Sequence, residues 1–343
     1  MIPPLPTLAR EAAPAPAAAR LQLDRCRDTL AYLGARLRRT PPRFVVTCAR
    51  GSSDHAAVYG KYLIETTLGR AVASLGPSVA SVYNTRSLDL RDSLFIAISQ
   101  SGQSPDLLRM TEAARAGGAV VLGFINDESS PLAALCDVHV PLSAGPEHSV
   151  AATKSYLLSG LAFLQLVAYW SDAPELHDAA RRLPDALEAA SQLDWWPALA
   201  SLKDASSLYV VGRGSGLGAA LEMALKLKET CRLHAEAFSS AEVLHGPLGL
   251  VRPGFPVLAL GQDDNAAPGT RAVVQRMVEL GATVHATLSV PGAKLLPTLP
   301  DLPAVLAPLC QVQSFYFAVH QLATARGLNP DAPAHLRKVT ETV

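Results

Sequence analysis

The feature that most constrains this chain is an internal repeat. Ala49-Arg50-Gly51-Ser52 matches Gly212-Arg213-Gly214-Ser215, and Ala56-Ala57 matches Ala219-Ala220 at the same spacing. Matches at one fixed spacing indicate two copies of a single structural unit. With 343 residues, the chain is also long enough for two domains.

Each copy alternates short apolar runs with helical patterns. In the first copy, strands are predicted over 44–48, 72–75, 94–98, 119–125 and 138–142, with helices over 53–68 and 154–170. In the second copy, strands are predicted over 257–260 and 283–288, and helices over 217–233, 270–280 and 305–326, with a loop that runs from the end of the first of these helices through 239–240. Alternation of this kind predicts the α/β class, with parallel, doubly wound sheets.

The repeat also sets the predicted domain boundaries. Residues 1–40 are predicted to form an N-terminal arm, loose or frayed over 1–20, followed by a helix over 18–39. We expect two tandem flavodoxin-like domains with helices on both faces, over 41–172 and 173–328, and a C-terminal tail over 329–343.

A polar loop follows the predicted strand 94–98. It reads Ser99-Gln100-Ser101-Gly102-Gln103-Ser104, and a helix with Pro105 in its first turn comes next. A strand, a hydroxyl-rich loop and a helix N-terminus together favour an anion, because free N–H groups and the helix dipole face the loop. The loop itself carries no fixed positive charge, so a phosphate held by hydrogen bonds is the natural ligand. An ordinary polar turn is the alternative.

The second copy differs at this loop. The repeat spacing places the serine loop on Gln262-Asp263-Asp264-Asn265, which has acids where the first copy has hydroxyls. Two carboxylates would repel a phosphate, so we expect only the first copy to bind one. Random drift in a duplicated loop is the alternative explanation.

Composition excludes several classes of function. The formal net charge is zero, which gives no electrostatic basis for binding nucleic acid or an anionic membrane. The five cysteines are scattered without a Cys-x-x-Cys pair, which indicates reduced thiols in a cytoplasmic protein rather than a zinc site. No signal peptide is recognisable, and the apolar stretch 155–170 is too short to span a membrane and is expected to be a core helix. No metal ion or cofactor is predicted.

Three ionisable residues could carry chemistry. Glu229 lies near the end of a predicted helix, His245 precedes Gly246-Pro247, and Lys338 lies in the tail. Each has an ordinary structural explanation, such as a solvated Glu229 paired with Lys226. With a phosphate loop, however, they suit aldose–ketose chemistry on a sugar phosphate: a carboxylate moves a proton between carbons, a histidine opens the ring, and a lysine reacts with a carbonyl.

Several motifs in the same order resemble the sugar isomerase (SIS) family. The chain is similar to the isomerase half of glucosamine-6-phosphate synthases and to the glucosamine-6-phosphate deaminases built on that half. The resemblance rests on Gly51-Ser52-Ser53, Ser99-Gln100-Ser101-Gly102, Val150-Ala151-Ala152-Thr153-Lys154, Leu225-Lys226-Leu227-Lys228-Glu229, His234-Ala235-Glu236, His245-Gly246-Pro247-Leu248 and the tail Asn329-Pro330-Asp331 to Lys338-Val339-Thr340.

The resemblance implies a role for each site residue. Phosphate binding is implied for Ser53, Ser99, Gln100, Ser101 and Ser104, and contacts to sugar hydroxyls for Ser52 and the backbone near Val150. Glu229 is implied as the base that moves a proton between C1 and C2, His245 as the ring-opening acid–base, and Lys338 as the Schiff-base lysine. A homodimer is also implied, because the family contributes this histidine across the dimer interface.

Departures from the family pattern affect the expected substrate. Arg50 stands where the synthases usually have cysteine, Ala152 replaces a serine that touches the sugar, and Arg337 replaces a small residue. These changes bear on which sugar is bound more than on the class of reaction.

The direction of the reaction follows from the start of the resemblance. The SIS region begins near residue 43, which leaves no room in this sequence for a glutaminase domain. We therefore expect a deaminase that converts glucosamine 6-phosphate and water to fructose 6-phosphate and ammonia. The alternatives are another phosphosugar isomerase or deglycase, an aminotransferase isomerase subunit without its glutaminase, and a non-enzymatic phosphosugar sensor.

Overall fold

The computed structural model describes residues 7–85 and 88–338. They form two compact units, each built on one five-stranded sheet. Of the described residues, the first unit contains 17–85, 88–147, 154–182 and 337–338. The second unit contains 7–16, 148–153 and 183–336.

The first unit carries a wholly parallel sheet. Its strands are β1 (Phe44–Cys48), β2 (Val72–Ser74), β3 (Ser93–Ser99), β4 (Val120–Ile125) and β5 (Val138–Pro141), in the order β2-β1-β3-β4-β5. Its helices are most of α2 (Ala15–Arg39), then α3 (Ser52–Leu68), α4 (Ser78–Ser81), α5 (Pro105–Ala116), α6 (Pro131–Leu135) and α7 (Lys154–Ser171). All seven residues of β3 are buried, as expected for a central parallel strand covered on both faces.

The apolar helix α7 is the core element of this unit, as predicted for 155–170. Phe163 on α7 packs edge-on against Phe124 of β4, with ring centroids 5.0 Å apart. Gly60 on α3 allows close approach, because a Cβ there would lie 2.2 Å from the Phe163 ring. None of the helices in the described part of the chain has the length and hydrophobicity needed to cross a bilayer.

The second unit repeats this architecture. Its strands are β6 (Ser207–Gly212), β7 (His234–Ser239), β8 (Pro256–Ala259), β9 (Thr283–Ala286) and β10 (Lys294–Leu295). Its helices are α1 (Thr7–Ala12), the end of α8 (Pro174–Ala190), α9 (Trp196–Ala200), α10 (Gly216–Cys231), α11 (Ala267–Glu279) and α12 (Ala307–Ala325), with 3₁₀ turns at Glu242–His245 and Pro247–Leu250.

The second sheet is also parallel, in the order β10-β9-β8-β6-β7. Taken from its other edge, this is the strand order of the first sheet, with β6 in the place of β1 and β8 in the place of β3. Both sheets therefore have the flavodoxin-like order. The predicted fold class, two tandem doubly wound parallel sheets, is confirmed.

Two local predictions differ from the structure. Residues 234–239 form strand β7, where a loop was expected. Exposed His234 and Glu236 alternate with alanines, and alanine has a low strand propensity, so the alternation gives only a weak signal. The segment expected to be loose or frayed contains α1 and the start of α2. The buried Leu8, Ala9 and Ala12 hold α1, and its first N–H groups, on Thr7 and Leu8, donate to the Asp331 carboxylate.

Candidate active site

The centre of the first sheet provides the ordinary ligand position of this fold. Strands β1 and β3 are neighbours, and their following helices, α3 and α5, begin at Ser52 and Pro105. In open parallel sheets, ligands bind beyond the carboxyl ends of the strands at such a switch point. Two helix N-termini, with their unpaired N–H groups, therefore follow two adjacent strands.

The predicted serine loop lies at this edge, in a fixed conformation. The Ser99 hydroxyl accepts a hydrogen bond from the Gly102 N–H at 2.9 Å, and the Ser101 hydroxyl accepts one from the Gln103 N–H at 3.4 Å. Gly102 has φ of 63°, and a Cβ there would lie 2.1 Å from the Ser130 hydroxyl oxygen. Only glycine fits this turn, and each accepting hydroxyl still has its own hydrogen to donate to a ligand.

The remaining predicted phosphate residues lie beside the two helix starts. Ser104 is the N-terminal flanking residue of α5, and its side chain makes no capping bond. Ser52 and Ser53 form the first turn of α3 after Gly51, whose φ is 54°. Gln100, Ser101, Ser104 and Ser53 are partly exposed, whereas Ser52 and Ser99 are buried. The structure thus brings all six to the same edge of one sheet, and their contact with a phosphate stays a prediction.

An ion pair at this edge was not predicted. The Arg50 guanidinium donates from Nε and Nη2 to Asp106 Oδ2, at 2.9 and 2.6 Å. Asp106 lies in the first turn of α5 and has no solvent exposure, whereas the Arg50 side chain is 49% exposed. The expectation that the loop lacks a fixed positive charge holds for residues 99–104 only, because Arg50 brings one from the β1 loop.

The equivalent edge of the second sheet is filled by a side chain. The Gln262 amide nitrogen donates to the Arg213 carbonyl at 3.0 Å and to Asp264 Oδ2 at 2.9 Å. Its amide oxygen lies against the start of α10, since a Cβ on Gly216 would be 2.7 Å from it. Gln262 is buried, so this copy of the loop closes onto its own backbone.

Glu229 belongs to a buried polar chain in the second unit. Lys226 Nζ lies 2.6 Å from Glu229 Oε2 and 3.4 Å from Glu222 Oε1, and the Tyr316 hydroxyl donates to Glu222 Oε1 at 2.9 Å. The side chains of Lys226 and Glu222 are fully buried, and that of Glu229 is 17% exposed. The ordinary explanation of Glu229 as half of a solvated surface pair is therefore wrong.

This arrangement uses one of the two carboxylate oxygens of Glu229. Lys226 holds Glu229 Oε2, while Oε1 has no hydrogen-bond partner among the described residues. Sequence reasoning missed Glu222 and Tyr316. The helical spacing of Glu222, Lys226 and Glu229 indicated only that these three residues share one face of the helix.

His245 lies on the surface of the second unit. It ends one 3₁₀ turn, and Gly246, with φ of 139°, connects it to the next. Val243 anchors the segment in the core, and the Tyr209 hydroxyl donates to the Pro247 carbonyl at 2.9 Å. The His245 ring is exposed, and within residues 7–85 and 88–338 no hydrogen bond or ion pair joins it to Glu229.

Val150 and Lys338 complete the predicted set. The loop that carries Val150 is fixed by the buried Glu11, whose carboxylate accepts from the N–H groups of His148 at 2.5 Å and Ser149 at 3.1 Å. Lys338, the last described residue, is partly buried and belongs to the first unit. Val150, Glu229 and His245 belong to the second unit.

Two further observations on the described residues concern potential metal ligands and the cysteines. No cluster of three His, Cys, Asp or Glu side chains there is placed to hold a metal ion. All five cysteines are unpaired. Burial raises the pKa of the Cys48 thiol, which lies at the end of β1, to about 12 despite the opposing charge of Arg50.

Comparison with known proteins places this geometry in context. The chain is 33% identical over 318 residues to glutamine–fructose-6-phosphate aminotransferase (isomerizing) of Thermotoga maritima, which covers 86% of this chain and 50% of the relative. The chain thus spans about half the length of the curated relatives it matches.

Solved structures match over almost the whole chain. A protein from Silicibacter pomeroyi named as a phosphosugar isomerase is 44% identical, with a TM-score of 0.91 over 95% of this chain and all of its own. Glucosamine-6-phosphate deaminase of Thermotoga maritima shares the fold at 20% identity, with a TM-score of 0.78 over 98% and 100% of the two chains. The SIS domain model matches residues 41–169 and 201–290, and the chain therefore belongs to the SIS family.

Proposed function

We propose that this protein is an enzyme of phosphosugar metabolism, and specifically a glucosamine-6-phosphate deaminase. The reaction converts glucosamine 6-phosphate and water to fructose 6-phosphate and ammonia. The observation that carries the proposal is the Glu229 carboxylate, held at one oxygen by the buried Lys226, in a chain that matches an isomerizing aminotransferase over 86% of its length.

The phosphate is assigned to the first unit. Ser99, Ser101 and Ser104 offer hydroxyl hydrogens beside the α5 N-terminus, and Ser53 does so beside that of α3. The equivalent edge in the second unit is occupied by Gln262. The first unit has Ser99 at the position of Gln262, so this edge carries hydroxyl groups instead of an amide side chain, which supports a single phosphate site.

The chemical steps are assigned to His245, Glu229 and Lys338. His245 opens the sugar ring by proton transfer, which leaves an aldehyde at C1. Glu229 then removes the C2 proton while the C1 oxygen gains a proton, which gives a C1–C2 enolamine. Delivery of the proton from Glu229 to C1, with loss of one proton from the amine nitrogen, gives a hydroxymethyl group at C1 and an imine at C2. Water adds to C2 of the imine, the C2–N bond breaks, and ammonia leaves. Lys338 assists at the open-chain carbonyl, and Ser52 and the Val150 backbone orient the sugar hydroxyls.

A homodimer is part of the proposal. His245 is exposed between two exposed leucines, Leu244 and Leu250, which are 51% and 58% exposed. An apolar surface segment that carries a catalytic histidine suits a contact with a second copy, in which the histidine serves the partner's site. We also propose a cytoplasmic location, which the five unpaired cysteines support.

A plain phosphosugar isomerase is the second candidate. The Silicibacter pomeroyi protein, which is 44% identical over its whole length, carries that name. The same loop, carboxylate and histidine would interconvert an aldose and a ketose phosphate, and the sugar pocket alone would exclude the amine.

One assay separates the two. The purified chain is incubated with glucosamine 6-phosphate, and ammonia and fructose 6-phosphate are measured against time, with Glu229→Gln as the inactive control. The deaminase yields equal amounts of both products. Turnover of aldose and ketose phosphates without ammonia favours the isomerase, and substrate binding without any turnover favours a phosphosugar sensor.

A further inference from the structure

The ion pair of Arg50 and Asp106 joins the two loops that form the open switch point. Arg50 is the second residue after β1, and Asp106 is the second residue of α5, which follows β3. Both N–H···O bonds from Arg50 end on Asp106 Oδ2, while Asp106 Oδ1 accepts from the Leu107 N–H at 2.8 Å. The guanidinium is thereby fixed at the start of the helix that follows the serine loop.

The position of Asp106 creates an electrostatic problem for an anionic ligand. A fully buried carboxylate in the first turn of α5 lies where the helix would otherwise favour a second anion. A phosphate bound at this helix start and the Asp106 carboxylate would repel each other, and a buried charge needs a partner. Arg50 supplies the balancing charge.

Arg50 has hydrogen-bond donors that its ion pair with Asp106 does not use. Its side chain is 49% exposed, and in the described residues its Nη1 group has no acceptor. A planar guanidinium with free N–H groups is well matched to the oxygens of a phosphate monoester. The ion pair therefore holds the guanidinium in a fixed orientation and leaves its Nη1 group available to donate to a ligand.

The repeat provides an internal comparison. Arg213 occupies the position of Arg50 in the second unit, and the position of Asp106 is taken by Gly269. A Cβ on Gly269 would lie 3.2 Å from Arg213 Nη1, so both arginines reach the start of the equivalent helix. The anchoring carboxylate is present in the copy with the open loop and absent in the copy where Gln262 fills the edge.

We infer that Arg50 determines specificity for a phosphorylated sugar over a neutral one, by donating to the phosphate from a guanidinium that Asp106 holds in position. Asp106 is a positioning residue in this arrangement. The inference rests on the proposed phosphate site but not on the release of ammonia.

Binding to the full-length protein tests the inference directly. Titration calorimetry with glucosamine 6-phosphate and with inorganic phosphate is compared for the wild type, Arg50→Gln and the double variant Arg50→Gln/Asp106→Asn. We expect both variants to lose about 10- to 100-fold in affinity for the two phosphate ligands, the range for hydrogen bonds to charged groups. Binding of unphosphorylated glucosamine, followed by NMR, should not change. Arg213→Gln is the matched control and should keep the wild-type affinity.

The double variant makes the test decisive even where Arg50→Gln alone fails to fold. Removing both charges leaves no uncompensated buried carboxylate, and thermal unfolding confirms the fold. If the folded double variant binds phosphate as tightly as the wild type, Arg50 only neutralises Asp106 and the inference is overturned. If the wild type binds neither phosphate ligand, the phosphate site fails together with the inference. Tight, Arg50-dependent binding without ammonia release would support the inference and reject only the deaminase.

Discussion

Lys226 Nζ lies 2.6 Å from Glu229 Oε2, at the end of a side chain with no solvent exposure. Burial by itself lowers the pKa of Lys226, but attraction from Glu222 and Glu229 outweighs it, and the net shift is upward. The ammonium is therefore charged in the folded protein at neutral pH. Through its hydrogen bond to Oε2, the Lys226 ammonium fixes the orientation of the Glu229 carboxylate one turn along the same helix.

Loss of this ammonium should lower the free energy of unfolding. Lys226→Met removes the ammonium that lies beside both Glu222 Oε1 and Glu229 Oε2, and breaking a buried pair of this kind costs about 3–5 kcal/mol. The free energy of unfolding, measured by urea denaturation, should fall by that amount. Lys228→Met, at an exposed position of the same helix, should change it by less than about 0.5 kcal/mol. Equal stabilities for the two variants would contradict the role given to Lys226.

The serine loop should reject added negative charge. Ser101→Asp places a carboxylate against the phosphate position and should abolish binding of glucosamine 6-phosphate, whereas Ser101→Ala removes one hydrogen bond and should weaken binding about tenfold. Substrate titration of both variants measures the difference. A KM for Ser101→Asp close to that of the wild type would show that the phosphate binds elsewhere.

Gly102 should tolerate no side chain. In Gly102→Ala the new Cβ would meet the Ser130 hydroxyl at 2.1 Å, and the residue would hold a left-handed conformation that costs about 1–2 kcal/mol by itself. We expect a lower Tm and a KM raised at least as far as in Ser101→Ala. Gly76→Ala is the control in the same unit, because its nearest neighbour atom would be 3.7 Å away. A Gly102→Ala protein with unchanged Tm and KM would contradict the fixed loop.

The proposed dimer can be tested by mixing inactive subunits. Glu229→Gln and His245→Ala should each be inactive, but a heterodimer in which the two residues meet across an interface contains one intact site. Part of the deaminase activity should therefore return after subunit exchange, which a mass-tagged copy can verify. Absence of recovery in exchanged subunits would place Glu229 and His245 of one chain in the same site, or in none.

Stability should fall in mild acid because of buried histidines. Burial, and secondarily the charge of Lys294, lowers the pKa of His285 below its ordinary value of 6.5, and its Nε2 lies 3.0 Å from the Ser201 hydroxyl. Burial also lowers the pKa of His320. The unfolded chain then binds more protons, so the stabilisation is complete above about pH 6.5 and decreases as the pH falls through the native values.

A single substitution isolates the contribution of His285. His285→Gln cannot titrate, so its Tm should decline less than that of the wild type between pH 7 and pH 5. His234→Gln, at an exposed position, should follow the wild type. Parallel declines for all three proteins would show that His285 titrates alike in the folded and unfolded states.

Much of the fold could be predicted from the sequence because parallel strands that are buried on both faces appear as continuous apolar runs. The run 94–98 corresponds to β3. The repeat spacing then predicted that the second copy has the same alternation of strands and helices. The edge strand β7 was missed because its exposed polar residues alternate with alanines, which give no apolar run and have a low strand propensity.

The ion pairs of the candidate site needed the three-dimensional structure. Arg50 and Asp106 are 56 residues apart, and no local pattern connects them. Glu222, Lys226 and Glu229 recur at helical spacing, which ordinarily indicates a solvated face. They are buried here because Tyr316 from α12 covers the start of this stripe. Burial of a charged stripe depends on what packs against it, and the sequence of the helix alone does not specify that.

The two sheets have the same strand order, and the repeat spacing places residues 262–267, beyond the end of β8, at the positions of residues 99–104 at the end of β3. The second loop is therefore a suitable position for a graft of the serine loop. Replacing it with the serine sequence would remove the Gln262 side chain from the edge and introduce glycine where Asn265 stands, with Arg213 already beside the following helix. Gene duplication has in this way left the chain with a second scaffold on which a new binding site could be engineered without altering the first.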